Sequence, residues 1–229
     1  MRSDQDLFAY FGPMIAFLCV VAVEDWQPDP DPLLWLTLRL IVPLALLLYF
    51  ARRGLYPELG GYRWGLGSAA DVALGVVVTA VWVGPYLLWP ELRPQAEEAF
   101  DPSMAGESSR GLVLALRFAG FSLVTPFAEE LLVRSFLMRS TDAWATDLDF
   151  REIPVGAFAW RSFAVTVVWF TFTHASWEWP VAFATGVIYN VWLYRRKHIG
   201  ALVLAHAATN ASLFAFVALG PLFGLWFFL

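Results

Sequence analysis

Long apolar segments separated by short polar ones are the feature that most limits what this chain can fold into. A helix that crosses the hydrocarbon core of a bilayer needs about 17–25 mostly apolar residues. The candidate segments are 7–23, 33–50, 66–89, 111–138, 155–175, 180–194, 199–213 and 214–229. Hydrophobic residues make up 59% of the chain and charged residues only 15%, a balance that the surface of a soluble domain does not tolerate. We therefore predict an all-α polytopic membrane bundle of about eight transmembrane helices, one integral membrane domain over residues 1–229, with no binding of nucleic acid.

Basic residues predict which side of the membrane each connecting segment faces. If the N-terminus is cytoplasmic, ten of the 15 Lys and Arg residues fall on inner segments, and only Arg93 and Arg110 fall on outer ones. The ten are Arg2, Arg52, Arg53, Arg63, Arg139, Arg151, Arg161, Arg195, Arg196 and Lys197. Because Lys and Arg are enriched in cytoplasmic loops, the N-terminus is expected to be cytoplasmic. With eight spans, the C-terminus is expected on the same side.

Ionisable side chains inside the fourth segment call for an explanation, since each costs about 2.5–3.5 kcal/mol at the centre of a membrane helix. Glu130 and Arg134 are four residues apart, with the acid first, which favours a helical ion pair. Glu129 is rotated about 100° from Glu130, so this arginine does not pair it. One interpretation is that the cluster marks the cytoplasmic end of the helix, where charges reach the headgroups. That interpretation explains Glu130 and Arg134 better than it explains Glu129.

Two of the three histidines also lie in apolar segments. His174 follows Phe170 by one turn in VVWFTFTH, and His206 precedes Asn210 by one turn in ALVLAHAATNASLF. A single intramembrane histidine is more typical of a hydrogen bond between helices. Convergence with Glu129, however, would place a carboxylate base, two imidazoles and a hydrogen-bond donor in one pocket of low dielectric constant.

Other polar groups within the apolar segments are less informative. Arg39, Arg117 and Asp71 are isolated on their predicted helices, and we interpret them as packing or interfacial groups.

Three short elements resemble the motifs of a known family. EELLVR (Glu129 to Arg134), FTFTH (Phe170 to His174) and HAATN (His206 to Asn210) are similar to EExxxR, FxxxH and HxxxN of the CAAX-protease and bacteriocin-processing family. The resemblance covers about residues 111–229, which would form the catalytic core. A narrower similarity, in TDLDFREIPVGAFAW, YRRKHIG and AHAATNA, is to the bacterial CAAX prenyl protease-related group found with exosortase systems. The segment ASWEWP after His174 departs from the relatives, which usually place more Gly and aliphatic residues there.

The resemblance implies a glutamic intramembrane endopeptidase without a cofactor. Glu129 would deprotonate a water that His174 helps to hold, and His206 and Asn210 would stabilise the tetrahedral oxyanion. Three further residues would orient this site without taking part in the reaction, namely Glu130, Arg134 and Phe170. The expected partners are the lipid bilayer and a membrane-associated or C-terminally tagged protein substrate, and the expected location is the inner membrane of a bacterium.

The residues alone also leave three alternatives to a glutamic peptidase open. Glu129, His174 and His206 could bind zinc with an open position for water. The absence of HExxH, and of a clear carboxylate behind the histidines, favours the metal-free form. The chain could also be a non-catalytic scaffold or immunity factor with the same fold. A proton-coupled transporter is a third class, but it would be expected to show an internal repeat, and none is evident.

Overall fold

The computed structural model describes residues 4–94, 99–144, 146, 148–220 and 225–229. Within these ranges the long helices are α1 (Asp4–Asp25), α2 (Pro32–Arg52), α3 (Leu66–Leu88), α4 (Glu107–Ala143), α5 (Trp160–Phe172), α6 (Trp179–Arg196) and α7 (Ile199–Leu219). Short 3-10 turns lie at Pro57–Leu59, Pro90–Leu92, Phe150–Glu152, Ser176–Glu178 and Trp226–Phe228. The described residues contain no strand, so the prediction of an all-α fold is confirmed.

Five of the described helices are long and apolar enough to cross a membrane, namely Leu7–Asp25 within α1, together with α2, α3, α4 and α7. Helix α5 has only 13 residues, a rise of about 20 Å against a hydrocarbon core of about 30 Å. Helix α6 has 18 residues but is not among the five. The fold is that of an integral membrane protein, and the predicted count of eight spans is not confirmed.

The two predicted C-terminal spans are a single helix. Helix α7 continues through Leu213 and Phe214 without a break and ends at Leu219, before the extended backbone of Gly220. No Pro or Gly lies near the proposed boundary at 213/214. The division into 199–213 and 214–229 is therefore wrong. Of the second segment, residues 221–224 lie outside the described residues.

Helices α3 and α7 run in the same direction and touch along their backbones. Thr209 Oγ1 donates to the carbonyl of Gly75 at 3.1 Å, and Thr79 Oγ1 donates to the carbonyl of Thr209 at 3.0 Å. A Cβ atom at Gly75 would lie 2.4 Å from the carbonyl oxygen of Ala205. Only glycine allows this close approach, which fixes the helix that carries His206 against the centre of the bundle.

The described residues nearest the two termini lie at opposite ends of the bundle. At one end, Tyr56 donates its hydroxyl to the carbonyl of Ala9 at 2.6 Å. At the other end, the ring of Phe228 packs 5.7 Å from that of Tyr86, near the end of α3. The expectation that both termini face the cytoplasm depended on dividing α7 into two spans, and it is not confirmed.

The basic residues that are described lie mainly at the end of the bundle that contains Ala9, called here the basic end. It carries Arg52, Arg53, Arg63, Arg139, Arg151, Arg161, Arg195, Arg196 and Lys197, whereas Arg93 and Arg110 lie at the other end. The predicted inner residue Arg2 lies outside the described residues.

Helix α4 is irregular where it carries the motif glutamates. Two π-helical segments, Ala119–Val124 and Leu131–Leu137, flank the α-helical segment Thr125–Glu130. Each π turn shifts the face on which the following side chains project, and such turns are frequent at functional sites.

Candidate active site

A cavity of about 90 Å³ lies between α3, α4, α5, α6 and α7. Glu129, His174, His206 and Asn210 all line it, as does Phe170. The structure thus brings together, from α4, α7 and the end of α5, the side chains that the sequence pattern selects. Trp82 of α3 and Tyr189 of α6 complete the wall, on helices that the three motifs do not include.

Glu130 is fully buried and holds two neighbours at once. Its Oε1 atom lies 3.2 Å from Nη1 of Arg134, which is the expected ion pair, and 2.8 Å from Nδ1 of His206. A carboxylate only accepts hydrogen bonds, so Nδ1 of His206 carries the proton. The other ring nitrogen, Nε2, then faces Glu129, whose Oε2 atom is 3.9 Å away. The contact between Glu130 and His206 joins α4 to α7 and is not indicated by spacing along one helix.

Arg134 is enclosed by α5 and α6. Its guanidinium group lies 4.4 Å from the centre of the Phe170 ring and 5.7 Å from that of Tyr189. Its Nε atom donates to Oδ1 of Asn190 at 3.4 Å, and Asn190 in turn donates to Thr166 at 2.9 Å. Phe170 therefore makes a cation–π contact with the arginine that pairs with Glu130. Such a contact is more stabilising in a desolvated position.

Glu129 differs from Glu130 in having no arginine within salt-bridge distance among the described residues. Its side chain is 21% exposed, and its Oε2 atom is buried without a hydrogen-bond partner in the described structure. Thr185 Oγ1, on the wall of the same cavity, is in the same condition. Buried polar atoms almost always have a partner, and the cavity is larger than the roughly 10–15 Å³ that one water needs. The cavity is therefore suited to a polar ligand beside Glu129.

His174 lies just beyond the end of α5. Its Nδ1 atom is 2.6 Å from the carbonyl oxygen of Phe170, which can only accept, so Nδ1 donates and Nε2 is left as an acceptor. The ring packs against Phe170 and Trp82, with centroid distances of 4.5 and 5.4 Å. These contacts fix both the tautomer and the orientation of the imidazole on the cavity wall.

Asn210 is held by the irregular part of α4. Its Nδ2 atom donates to the carbonyl of Phe121 at 2.7 Å. In the π-helical segment a backbone N–H bonds the carbonyl five residues earlier, as Thr125 N–H bonds the carbonyl of Gly120. The corresponding donor for the carbonyl of Phe121 would be Pro126, which has no N–H. Asn210 satisfies the carbonyl that this proline leaves free. The second Nδ2 hydrogen remains for a group in the cavity.

Glu178 is a site residue that the motif pattern does not indicate. It lines the cavity from the turn before α6, and its Oε2 atom accepts from the backbone N–H of Ala175 at 3.1 Å. Partial burial raises the pKa of the Glu178 carboxyl; nearby Glu129 raises it further, and His174 lowers it. The only signal in the sequence was its spacing of four residues from His174.

The structure changes one of the arguments against a metal centre. The carboxylate of Glu130 stands behind His206, so the expectation that no carboxylate supports the histidines is wrong. Within the described part of the chain, no three His, Cys, Asp or Glu side chains are grouped as a metal ion would require. Catalysis without metal stays a prediction.

Comparison with known families finds a match over the part of the chain that carries the site. Residues 111–212 match the family model described as type II CAAX prenyl endopeptidase, Rce1-like. This range contains all three motifs and leaves out α1, α2 and α3. Comparisons with curated proteins and with solved structures gave no match. The narrower association with exosortase systems stays a prediction. The resemblance of the three motifs is confirmed, because residues 111–212 are similar to the Rce1-like type II CAAX prenyl endopeptidase family and contain all three.

Proposed function

We propose that the protein is a metal-independent intramembrane endopeptidase with Glu129 as its general base. Its substrate is a membrane-associated or C-terminally tagged protein. The observation that carries the proposal is the unpartnered Oε2 atom of Glu129, on the wall of a cavity that it shares with His174, His206 and Asn210. The family match supports a peptidase as the general class.

The reaction begins with activation of water. Glu129 takes a proton from a water molecule held between its carboxylate and Nε2 of His174, the ring atom left free to accept. The resulting hydroxide attacks the scissile carbonyl carbon. Glu129 is suited to this step because no arginine among the described residues lies within salt-bridge distance of it, whereas Glu130 contacts both Arg134 and His206.

The oxyanion that forms on the carbonyl oxygen needs hydrogen-bond donors. Asn210 offers its second Nδ2 hydrogen, and His206, held at Nδ1 by Glu130, places its ring beside the same oxyanion. The tetrahedral intermediate then collapses, the C–N bond breaks, and Glu129 returns its proton to the leaving amine. Hydrolysis is complete without a cofactor.

The basic end of the bundle is proposed to face the cytoplasm of a bacterial inner membrane, following the enrichment of Lys and Arg in cytoplasmic loops. The short C-terminal segment 225–229 then lies on the opposite side. This arrangement retains the predicted cytoplasmic N-terminus.

The proposal is tested by co-expressing membrane-anchored candidate substrates that carry C-terminal tags with the wild type, with Glu129→Gln, and with the control Glu91→Gln. Cleavage by the wild type and the control, but not by Glu129→Gln, is the expected result. A fold-preserving Glu129→Gln that retains cleavage would exclude Glu129 as the base. Loss of wild-type cleavage in a chelator, restored by zinc, would favour the metal-dependent variant. Unchanged partner binding with no cleavage by any form would favour the scaffold.

A further inference from the structure

A second cavity, of about 480 Å³, adjoins the catalytic cavity and extends along α4 towards α1 and α2. Three titratable side chains line both cavities, namely those of Glu129, His174 and Glu178. His206 and Asn210, which are proposed to face the oxyanion, line the catalytic cavity but not the second one. Glu178 therefore lies with the proposed base at the junction of the two cavities, and the oxyanion side lies away from it.

The short segment that carries Glu178 is held both by α3 and by its own backbone. Tyr86 of α3 donates its hydroxyl to the carbonyl of Trp177 at 2.6 Å. The backbone N–H of Ala175 donates to Oε2 of Glu178 at 3.1 Å. A protonated carboxyl group accepts through its carbonyl oxygen, so a proton on Glu178 is carried by the other oxygen, Oε1. The segment thus presents a carboxyl group of fixed orientation on the cavity wall.

The surroundings of Glu178 favour its protonated form. Burial raises the pKa of the Glu178 carboxyl most, nearby Glu129 raises it further, and His174 lowers it. The other titratable side chains on the walls around it are those of Tyr86, Arg39 and Arg117. In the described structure neither arginine lies within salt-bridge distance of Glu178. A carboxyl group that favours protonation, in a cavity that it shares with a proposed base, is suited to act as an acid.

We propose that Glu178 is the general acid that protonates the leaving nitrogen, and that it passes on the proton which Glu129 takes from water. This inference rests on the proposed peptidase function and assigns its second proton transfer. As the C–N bond breaks, its electron pair stays on the nitrogen, which takes the proton from Oε1 of Glu178, and the oxyanion re-forms the carbonyl group. Protonated Glu129 then gives its proton to the Glu178 carboxylate through the cavity that both line, which restores both residues. One water is consumed, and no other reactant is needed.

The test compares two peptides around a cleavage site that the co-expression experiment identifies, one with the scissile amide and one with a thioester in its place. A thiolate leaves without being protonated, since the pKa of a thiol is about 8.5, whereas an amide nitrogen needs a proton. Glu178→Gln should therefore cleave the amide about 10²–10⁴-fold more slowly than the wild type and the thioester at nearly the same rate. Glu178→Asp should retain part of the amide cleavage. Glu129→Gln should be slow on both probes, and the exposed control Glu91→Gln should resemble the wild type.

The pH dependence of the wild type is a second measurement that needs no substitution. Amide cleavage requires the protonated form of Glu178, so kcat/KM for the amide should fall as the pH rises through the pKa of this carboxyl group. The thioester profile of the wild type, and the residual amide profile of Glu178→Gln, should lack that fall.

A loss of the same size on the amide and the thioester would overturn the inference, because it would show that Glu178 only holds the site in shape. Wild-type rates of amide cleavage by Glu178→Gln would also overturn it, while the peptidase itself would stand. If the wild type cleaves neither probe, the proposed function falls, and the role of Glu178 falls with it.

Discussion

Nδ1 of His206 lies 2.8 Å from Oε1 of Glu130, a residue 76 positions away in the sequence. Nε2 of the same ring lies 3.9 Å from Oε2 of Glu129. One imidazole therefore stands between two adjacent glutamates of α4. Because Glu130 also holds Arg134, the two carboxylates have different surroundings although they are neighbours in the chain.

Glu129→Gln and Glu130→Gln are expected to differ in kind. Glu129→Gln should lower the rate of cleavage by at least about 10²–10⁴-fold, the contribution of a general base, while the melting temperature stays close to that of the wild type. Glu130→Gln should lower the melting temperature as well, because it removes the negative charge opposite a buried arginine. Thermal unfolding in detergent, together with initial rates, distinguishes them. The reverse pattern would exchange the two roles.

Arg134→Met is expected to destabilise the protein by about 3–5 kcal/mol, because it leaves a buried carboxylate without its cation. The double variant Arg134→Met with Glu130→Gln should be more stable than Arg134→Met alone, since the stranded charge is gone. The free energies of unfolding of the two single variants, the double variant and the wild type form a double-mutant cycle. Strictly additive effects would show that the contact contributes nothing.

The extent to which the sequence predicts this molecule depends on whether contacts are local. Glu130 with Arg134, and His206 with Asn210 on one face of α7, follow from helical spacing. Phe170 as a supporting residue came with the family motif, and the structure supplies its reason in the Arg134 contact. These features could be predicted because one helix or one motif contains them.

The features that could not be predicted depend on tertiary packing. The bond from Glu130 to His206 requires α4 and α7 to be in register, and the close approach of α3 to α7 at Gly75 is likewise a contact between distant parts of the chain. The π turns of α4 leave no signal in an apolar run. The sequence pattern also ends the helix at residue 213 and not at Leu219, because periodicity cannot separate one long apolar helix from two short ones.

Asn210→Ala is expected to lower kcat by about 10²–10³-fold with little change in KM, the usual effect of losing one oxyanion donor. It also leaves the carbonyl of Phe121 unsatisfied, so some stability is lost. Thr79→Val is the matched control, since it removes a buried hydrogen bond between α3 and α7 away from the cavity. An equal loss of kcat in the control would reduce Asn210 to a structural role.

Reporter fusions should place the two ends of the bundle on opposite sides of the membrane. A fusion after Arg53, at the basic end, should be active only with a cytoplasmic reporter. A fusion at Leu229 should be active only with a reporter that functions outside the cytoplasm, because α7 runs parallel to α3. Cytoplasmic activity at both positions would contradict the course of α7.

Glu178→Gln is expected to stabilise the protein at neutral pH but not in acid. Burial raises the pKa of Glu178 in the folded protein, so the folded state favours the protonated carboxyl. The stability linked to this group is fully present below the ordinary carboxyl pKa of about 4.3, and it is lost as the pH rises through the higher pKa of the folded state. Glutamine keeps an acceptor for Ala175 N–H and does not ionise.

The melting temperature of Glu178→Gln should therefore match that of the wild type near about pH 4 and exceed it near about pH 8. Glu91→Gln, an exposed acid at the same end of the bundle, is the control and should show no such pH-dependent gain. A gain of the same size at both pH values would show that amide packing, and not loss of the buried charge, stabilises the variant.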